Sequence, residues 1–306
     1  MLRVTFLGTS SARPTVERNV SAIAVHREGD LHLFDCGEGT QRQMMKYGVG
    51  FAVRDIFLTH LHADHYLGVF GLLRTMGLQG RGEPIRIFTP PGGRGVIETA
   101  VHLEIEELPF PLEVRDLPAG DEVRYEGYAV RAYRAHHPGG ANGYALVEDP
   151  RLGRFNPERA RALGVPEGPL FGRLHRGEAV RLPDGRVVRP EDVVGPPRPG
   201  RKLVYTGDTR PCEATVEVAQ GADLLIHEAT FSEEERDRAE KTGHSTAAQA
   251  AEIAARARVR RLVLTHLSAR YSDRPGVLER EARAVWSGGH VSVAYDGLQI
   301  EIPYRD

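Results

Sequence analysis

Short apolar runs of strand length alternate with stretches of helical apolar period along most of this 306-residue chain. That mixture predicts an α/β fold. Residues 3–7, 21–26 and 31–34 are strand-like runs broken by Gly8, Pro14 and the Gly29-Asp30 pair, the pattern of a β-meander. A helix is expected over 40–47. The run at 56–58 reads as a buried strand, and 66–78 has the apolar spacing of a helix. Elements continue at 85–88, 96–103, 112–115, 122–124 and 128–135, then at 202–205 and 258–267. Thr246, with Gln249 three positions on, forms a capping box that opens a helix over 247–257. Residues 292–295 and 298–302 are expected to close the chain as a hairpin through Asp296-Gly297.

Residues 150–202 break this pattern. Proline and glycine recur there without a long apolar period, with Gly168-Pro169 and Gly195-Pro196 among them. Such a segment is expected to leave the globule as an insertion without a core of its own. Charge also sets it apart. It holds 12 Arg/Lys against 6 Asp/Glu, a net of +6, whereas the other residues carry 28 against 36, a net of −8. A basic insertion on an acidic body points to contact with a polyanion, although a solvated arginine-rich loop would have the same composition. No run of about 18 apolar residues exists, so no membrane span is expected. The N-terminus lacks a signal-peptide pattern, and Cys36 and Cys212 are too few for a disulfide framework. The chain therefore reads as cytoplasmic.

Candidate chemistry concentrates in Leu58-Thr59-His60-Leu61-His62-Ala63-Asp64-His65, on the turn between a strand and a helix. In extended backbone His60 and His62 point the same way and can reach one cation. Asp64 and His65, past the bend, can reach a second. Imidazole nitrogen and carboxylate oxygen are the ligands zinc takes. Asp35 follows the third strand, where an orienting partner for a ligating His and a turn-forming Asp are both reasonable. His136 and His137 end the strand at 128–135, and the residues alone do not separate them. Glu228 can brace His244, which lies beside the capped helix start. The helix end disfavours an imidazolium there, and a neighbouring carboxylate opposes that by charge and hydrogen bonding. Leu264-Thr265-His266-Leu267 echoes Leu58-Thr59-His60-Leu61, as if two similar halves each sent a His off the end of an equivalent strand. That arrangement is a sandwich of two β-sheets with helices outside and metals at one end.

HxHxDH after an apolar strand resembles the signature of the metallo-β-lactamase fold hydrolases. His227-Glu228-Ala229-Thr230, followed by His244-Ser245-Thr246 and then by Arg270-Tyr271 in an HxSxRY pattern, resembles the ribonuclease Z family in particular. The resemblance implies an αββα sandwich over residues 1–306, with 150–202 as a flexible arm that grips transfer RNA. It implies two zinc ions per subunit, one on His60, His62 and His137, the other on Asp64, His65 and His266, with Asp208 between them. By itself Gly207-Asp208 would read only as a turn. Asp64 would also handle the attacking water, and His244, held by Glu228, would protonate the departing 3′ oxygen. RNA contacts are expected from Arg18 and Asn19, from Arg270, and from Arg173 and Arg176 of the arm. The implied activity removes 3′ trailers from precursor tRNA, leaving a 3′-hydroxyl on the tRNA and a 5′-phosphate on the trailer, in a homodimer. The alternative is a hydrolase of the same fold acting on a small phosphodiester or ester, and a non-catalytic RNA-binding protein would require a ligand to be missing. The family loop PxKxRN reads here Pro14-Thr15-Val16-Glu17-Arg18-Asn19, with Val16 in place of the lysine. That change bears on whether CCA-bearing tRNA is rejected. No role is assigned to His136 or His227.

Overall fold

A computed structural model describes residues 1–102 and 107–305. One compact unit comprises Met1–Val147 and Lys202–Pro303, and a second comprises Glu148–Arg201 with the C-terminal end.

In the first unit two seven-stranded sheets form. The first runs in the order Gln299–Glu301, Leu2–Gly8, Ala22–Arg27, Asp30–Cys36, Asp55–Phe57, Ile85–Thr89, Leu112–Asp116. The second runs His290–Val293, Arg261–Thr265, Leu224–Glu228, Lys202–Tyr205, Ala141–Glu148, Tyr128–Ala135, Glu122–Tyr125. Side-chain alternation decides what each face meets. Val4 and Phe6 of the first sheet meet Leu224 and Ile226 of the second in a shared core, with Phe34 and Phe88 stacked on either side of Phe57. Residues of opposite parity face outward under helices. Leu33 and Ile56 lie beneath Met44, Leu72 and Ile97, whereas Leu225 and Leu262 lie beneath Val216, Ala251 and Leu278. The result is a helix–sheet–sheet–helix sandwich.

Each sheet contains a run of four parallel strands, from Asp30–Cys36 to Leu112–Asp116 in one and from Lys202–Tyr205 to His290–Val293 in the other. In open α/β sheets the carboxyl ends of such strands are where ligands bind. The helix expected over 66–78 divides into Ala63–Tyr66 and Gly68–Leu78. Gly68 is needed at that division, since a Cβ there would come within 2.0 Å of the Gly37 carbonyl oxygen. The helix expected over 96–103 is observed as Gly93–Val101, and Leu103 lies outside the described residues.

Two expectations are corrected. The last two strands do not form a hairpin: His290–Val293 pairs with Arg261–Thr265 in one sheet, and Gln299–Glu301 pairs with Leu2–Gly8 in the other. Asp296 directs the crossing, because its carboxylate accepts hydrogen bonds from Thr9, the Asn19 amide and Gln43, all from the first half of the chain. The 148–201 segment, in turn, does have a core. Ala160, Val165, Leu174, Leu182, Val188 and Val193 are buried together among helices Pro157–Ala162, Pro169–His175 and Pro190–Val193 and the small hairpin of Val180–Arg181 with Val187–Val188. Each helix begins with proline, which suits a first helical turn because the N–H it lacks would go unbonded there. Elements this short show no apolar period, so the sequence hid the core. A buried Glu148–Arg201 ion pair at 2.7 Å lies where the segment begins and ends.

Candidate metal centre

Seven donor side chains separated by up to about two hundred positions meet at the carboxyl ends of the strands. His60 and His62 follow Asp55–Phe57 in extended backbone, and Asp64 and His65 lie on the first turn of Ala63–Tyr66. His137 follows Tyr128–Ala135, Asp208 follows Lys202–Tyr205, and His266 follows Arg261–Thr265. Ligand atoms of His60, His62, His137 and Asp208 lie within 4.8 Å of one another, and so do those of Asp64, His65 and His266. The two groups adjoin at Asp208. Its Oδ2 is 3.6 Å from His60 Nε2, and its Oδ1 is 3.4 Å from His65 Nε2 and 3.2 Å from His266 Nε2.

The outward side of several imidazoles is fixed by hydrogen bonds. His65 Nδ1 donates to Asp35 Oδ2 at 2.8 Å, and His137 Nδ1 donates to the Gly243 carbonyl at 2.8 Å. Asp35 itself accepts from the Thr59 amide at 2.7 Å and the Tyr205 hydroxyl at 2.8 Å, so it is held in place to fix the His65 ring. These bonds leave each Nε2 as a lone-pair donor pointing inward. Nε2 of His65 and His266 are 3.3 Å apart, and His60 Nε2 is 2.9 Å from His62 Nδ1. Asp208 Oδ1 is buried without a hydrogen bond. Lone pairs facing one another around an unbonded buried carboxylate oxygen are costly without a cation, and the donor set suits one. The charges already respond to one another. Burial works against the charged Asp208 carboxylate, but the surrounding imidazoles hold its pKa well below the usual range. Burial pushes the pKa of His60 well below its ordinary value.

Glu228 and His244 stand at the edge of this cluster. Glu228 ends the strand Leu224–Glu228 with the parity of Leu224 and Ile226, so it faces the space between the sheets. His227, of opposite parity, is buried on the helix side, and among the described residues its ring bonds only the Glu228 carbonyl, through Nδ1. His244 Nδ1 is 2.8 Å from Glu228 Oε1, and the capping box of Thr246 and Gln249 secures the next helix. Burial opposes charge on His244, but Glu228, by charge and hydrogen bond, and then Asp208 outweigh it and raise the pKa to about 9.

The residues expected to touch RNA are placed differently. Arg18 is buried, and its guanidinium donates to Thr9 Oγ1 and the Ala294 carbonyl, both at 2.7 Å. It braces its loop from inside. Asn19 bonds Asp296 through its amide and the Glu38 carbonyl through its side chain. Arg270 is paired with Glu235 and lies over the Phe231 ring. Arg173 and Arg176 are exposed and share Glu178 of their own unit. His136 is exposed, and its amide donates to Thr209. Val16 is 99% exposed at the loop tip, but the loop returns to the cluster at Ala12, whose N–H donates to Asp64 Oδ2 at 2.7 Å. Arg13 is next in the chain, exposed, and its guanidinium has no partner among the described residues.

Residues 15–154 match a model of the metallo-beta-lactamase superfamily, and residues 192–267 match a beta-lactamase superfamily domain. The sandwich and its clustered His and Asp donors are thus those of a metal-dependent enzyme of the metallo-β-lactamase fold. Ribonuclease Z of Myxococcus xanthus is 57% identical over all of this chain and 99% of its own length, and ribonuclease Z of Natronomonas pharaonis is 53% identical over the same shares. The crystal structure of the short form of human tRNase Z superposes with a TM-score of 0.71 at 31% identity, covering 98% of this chain and 99% of that one. The chain belongs to the ribonuclease Z family. Among the described residues no helix is long and apolar enough to cross a membrane.

Proposed function

We propose that this protein is an endoribonuclease that removes 3′ trailers from precursor tRNA in the cytoplasm, leaving a 3′-hydroxyl on the tRNA and a 5′-phosphate on the trailer. The observation that carries this reading is the pair of donor groups adjoining at Asp208, with His244 held at their edge, in a chain of this family. His60, His62 and His137 would hold one zinc ion, Asp64, His65 and His266 a second, and Asp208 would bridge them. Five imidazoles favour zinc over magnesium. Two such ions supply Lewis acidity at the scissile phosphate and a source of hydroxide near neutral pH.

The chain's own side chains do the rest. Asp64, its Oδ2 held by the Ala12 amide, orients the attacking water. His244 keeps Nδ1 on Glu228, so Nε2 is the atom that delivers a proton to the departing 3′ oxygen as the phosphorus–oxygen bond breaks. Mapping both new ends on a precursor transcript tests this reading. Intact precursor beside rapid hydrolysis of a small phosphodiester would instead favour the alternative, a small-substrate hydrolase.

The 148–201 unit, with its surplus of arginine, is proposed as the grip on the tRNA body, and a homodimer is proposed on the family resemblance, to be read by light scattering. Val147 and Lys202 are cross-strand partners, so a two-residue Asn-Gly turn can replace the whole unit. The shortened protein is expected to lose precursor cleavage by about 100-fold or more, as several phosphate contacts vanish together. It should still turn over a small chromogenic phosphodiester. Equal loss of both activities would remove the grip from consideration.

A further inference from the structure

A cleft of about 570 Å³ opens beside the donor cluster. Part of its lining comes from the loops that carry the donors. Leu61 sits between His60 and His62, and Gly139 and Gly140 follow His137. The Asn142 amide donates to the Thr59 carbonyl at 2.9 Å, which ties these two loops together. Pro90, Pro91 and Pro118 also line the cleft. Arg134 is the one charged residue among those lining the cleft. It is exposed on the strand Tyr128–Ala135, and its guanidinium has no partner among the described residues. Arg131 of the same strand, by contrast, is paired with Glu122 at 2.7 Å. The nearby Asp116 does not neutralise Arg134, since its oxygens accept from Thr89 Oγ1 and the amides of Gly92 and Arg94.

We propose that this cleft takes the single-stranded RNA next to the scissile bond, with Arg134 on a backbone phosphate and the prolines against a base. The inference rests on the endoribonuclease reading and names a contact for it. The cleft lies in the roughly 300–1,000 Å³ range of small-ligand sites, large enough for a nucleotide and too small for a duplex. One exposed arginine is a poor anchor for a free anion. It becomes effective for a strand already held at the cluster, because the second contact is then intramolecular. Binding through one phosphate also makes the site indifferent to sequence, which suits trailers of varied composition.

The test compares kcat/KM of the zinc-loaded enzyme for precursor tRNA with that for bis(p-nitrophenyl) phosphate, using wild type, Arg134→Gln and Arg134→Lys. The ratio of the two is expected to fall about tenfold in Arg134→Gln, mostly through KM for the precursor, and to recover largely in Arg134→Lys. The slope of precursor affinity against salt should drop by about one phosphate contact in Arg134→Gln. A wild-type ratio and salt slope in Arg134→Gln would overturn the groove while leaving the tRNA reading intact. A wild-type enzyme that leaves precursor tRNA uncut would overturn that reading itself, and the RNA occupant with it.

Discussion

Asp208→Asn is expected to leave the protein folded but with fewer than two zinc ions per subunit, and to slow precursor cleavage by about 10³-fold or more. The reason is positional. Its two oxygens face different donor groups, Oδ2 toward His60 and Oδ1 toward His65 and His266. An amide of the same shape keeps the packing but removes one acceptor and the charge. Loss of several kcal/mol of charge stabilisation in the transition state corresponds to that range of rate, at about 1.4 kcal/mol per factor of ten. Elemental analysis of the dialysed protein, circular dichroism and single-turnover cleavage read the three parts separately. A variant that keeps both metals and full activity would remove Asp208 from the centre.

The second large effect is expected at His244. His244→Asn should lower kcat for precursor tRNA by about 10²–10⁴-fold, the usual contribution of a positioned proton donor, with metal content unchanged. A diester with a p-nitrophenolate leaving group departs without needing that proton, so it should lose far less. This contrast separates proton donation from damage to the metal centre, which would depress both substrates alike. Glu228→Gln should fall between wild type and His244→Asn, by about 10–100-fold, since an amide oxygen can still accept from Nδ1 but no longer supplies the charge that keeps His244 protonated. Equal losses on both substrates would sink the assignment of His244 as the acid.

The strands at 128–135 and 202–205 were legible to the residue, and the capping box at Thr246 formed as its spacing required. Each depends on a few consecutive residues. The errors share the opposite property. Residues 292–295 and 298–302 look like a hairpin because Asp-Gly usually makes one, yet Asp296 is claimed by Thr9, Asn19 and Gln43, far away in sequence. The core of the 148–201 unit was invisible because helices of four to seven residues are too short to show a period. The family loop pattern puts Arg18 among the RNA contacts, whereas in the fold its guanidinium is buried on the Ala294 carbonyl.

The sequence alone determined which side chains are available as donors and which strand end presents each, because strand, turn and helix cap are short-range outcomes of backbone sterics and apolar spacing. Only the tertiary structure decided that His137 and not His136 joins the cluster, that Glu228 faces inward while His227 does not, and that Arg13 and Arg134 have no side-chain partner among the described residues. Those outcomes turn on which face of a sheet becomes core and which distant segment lies opposite, and packing of the whole chain sets both.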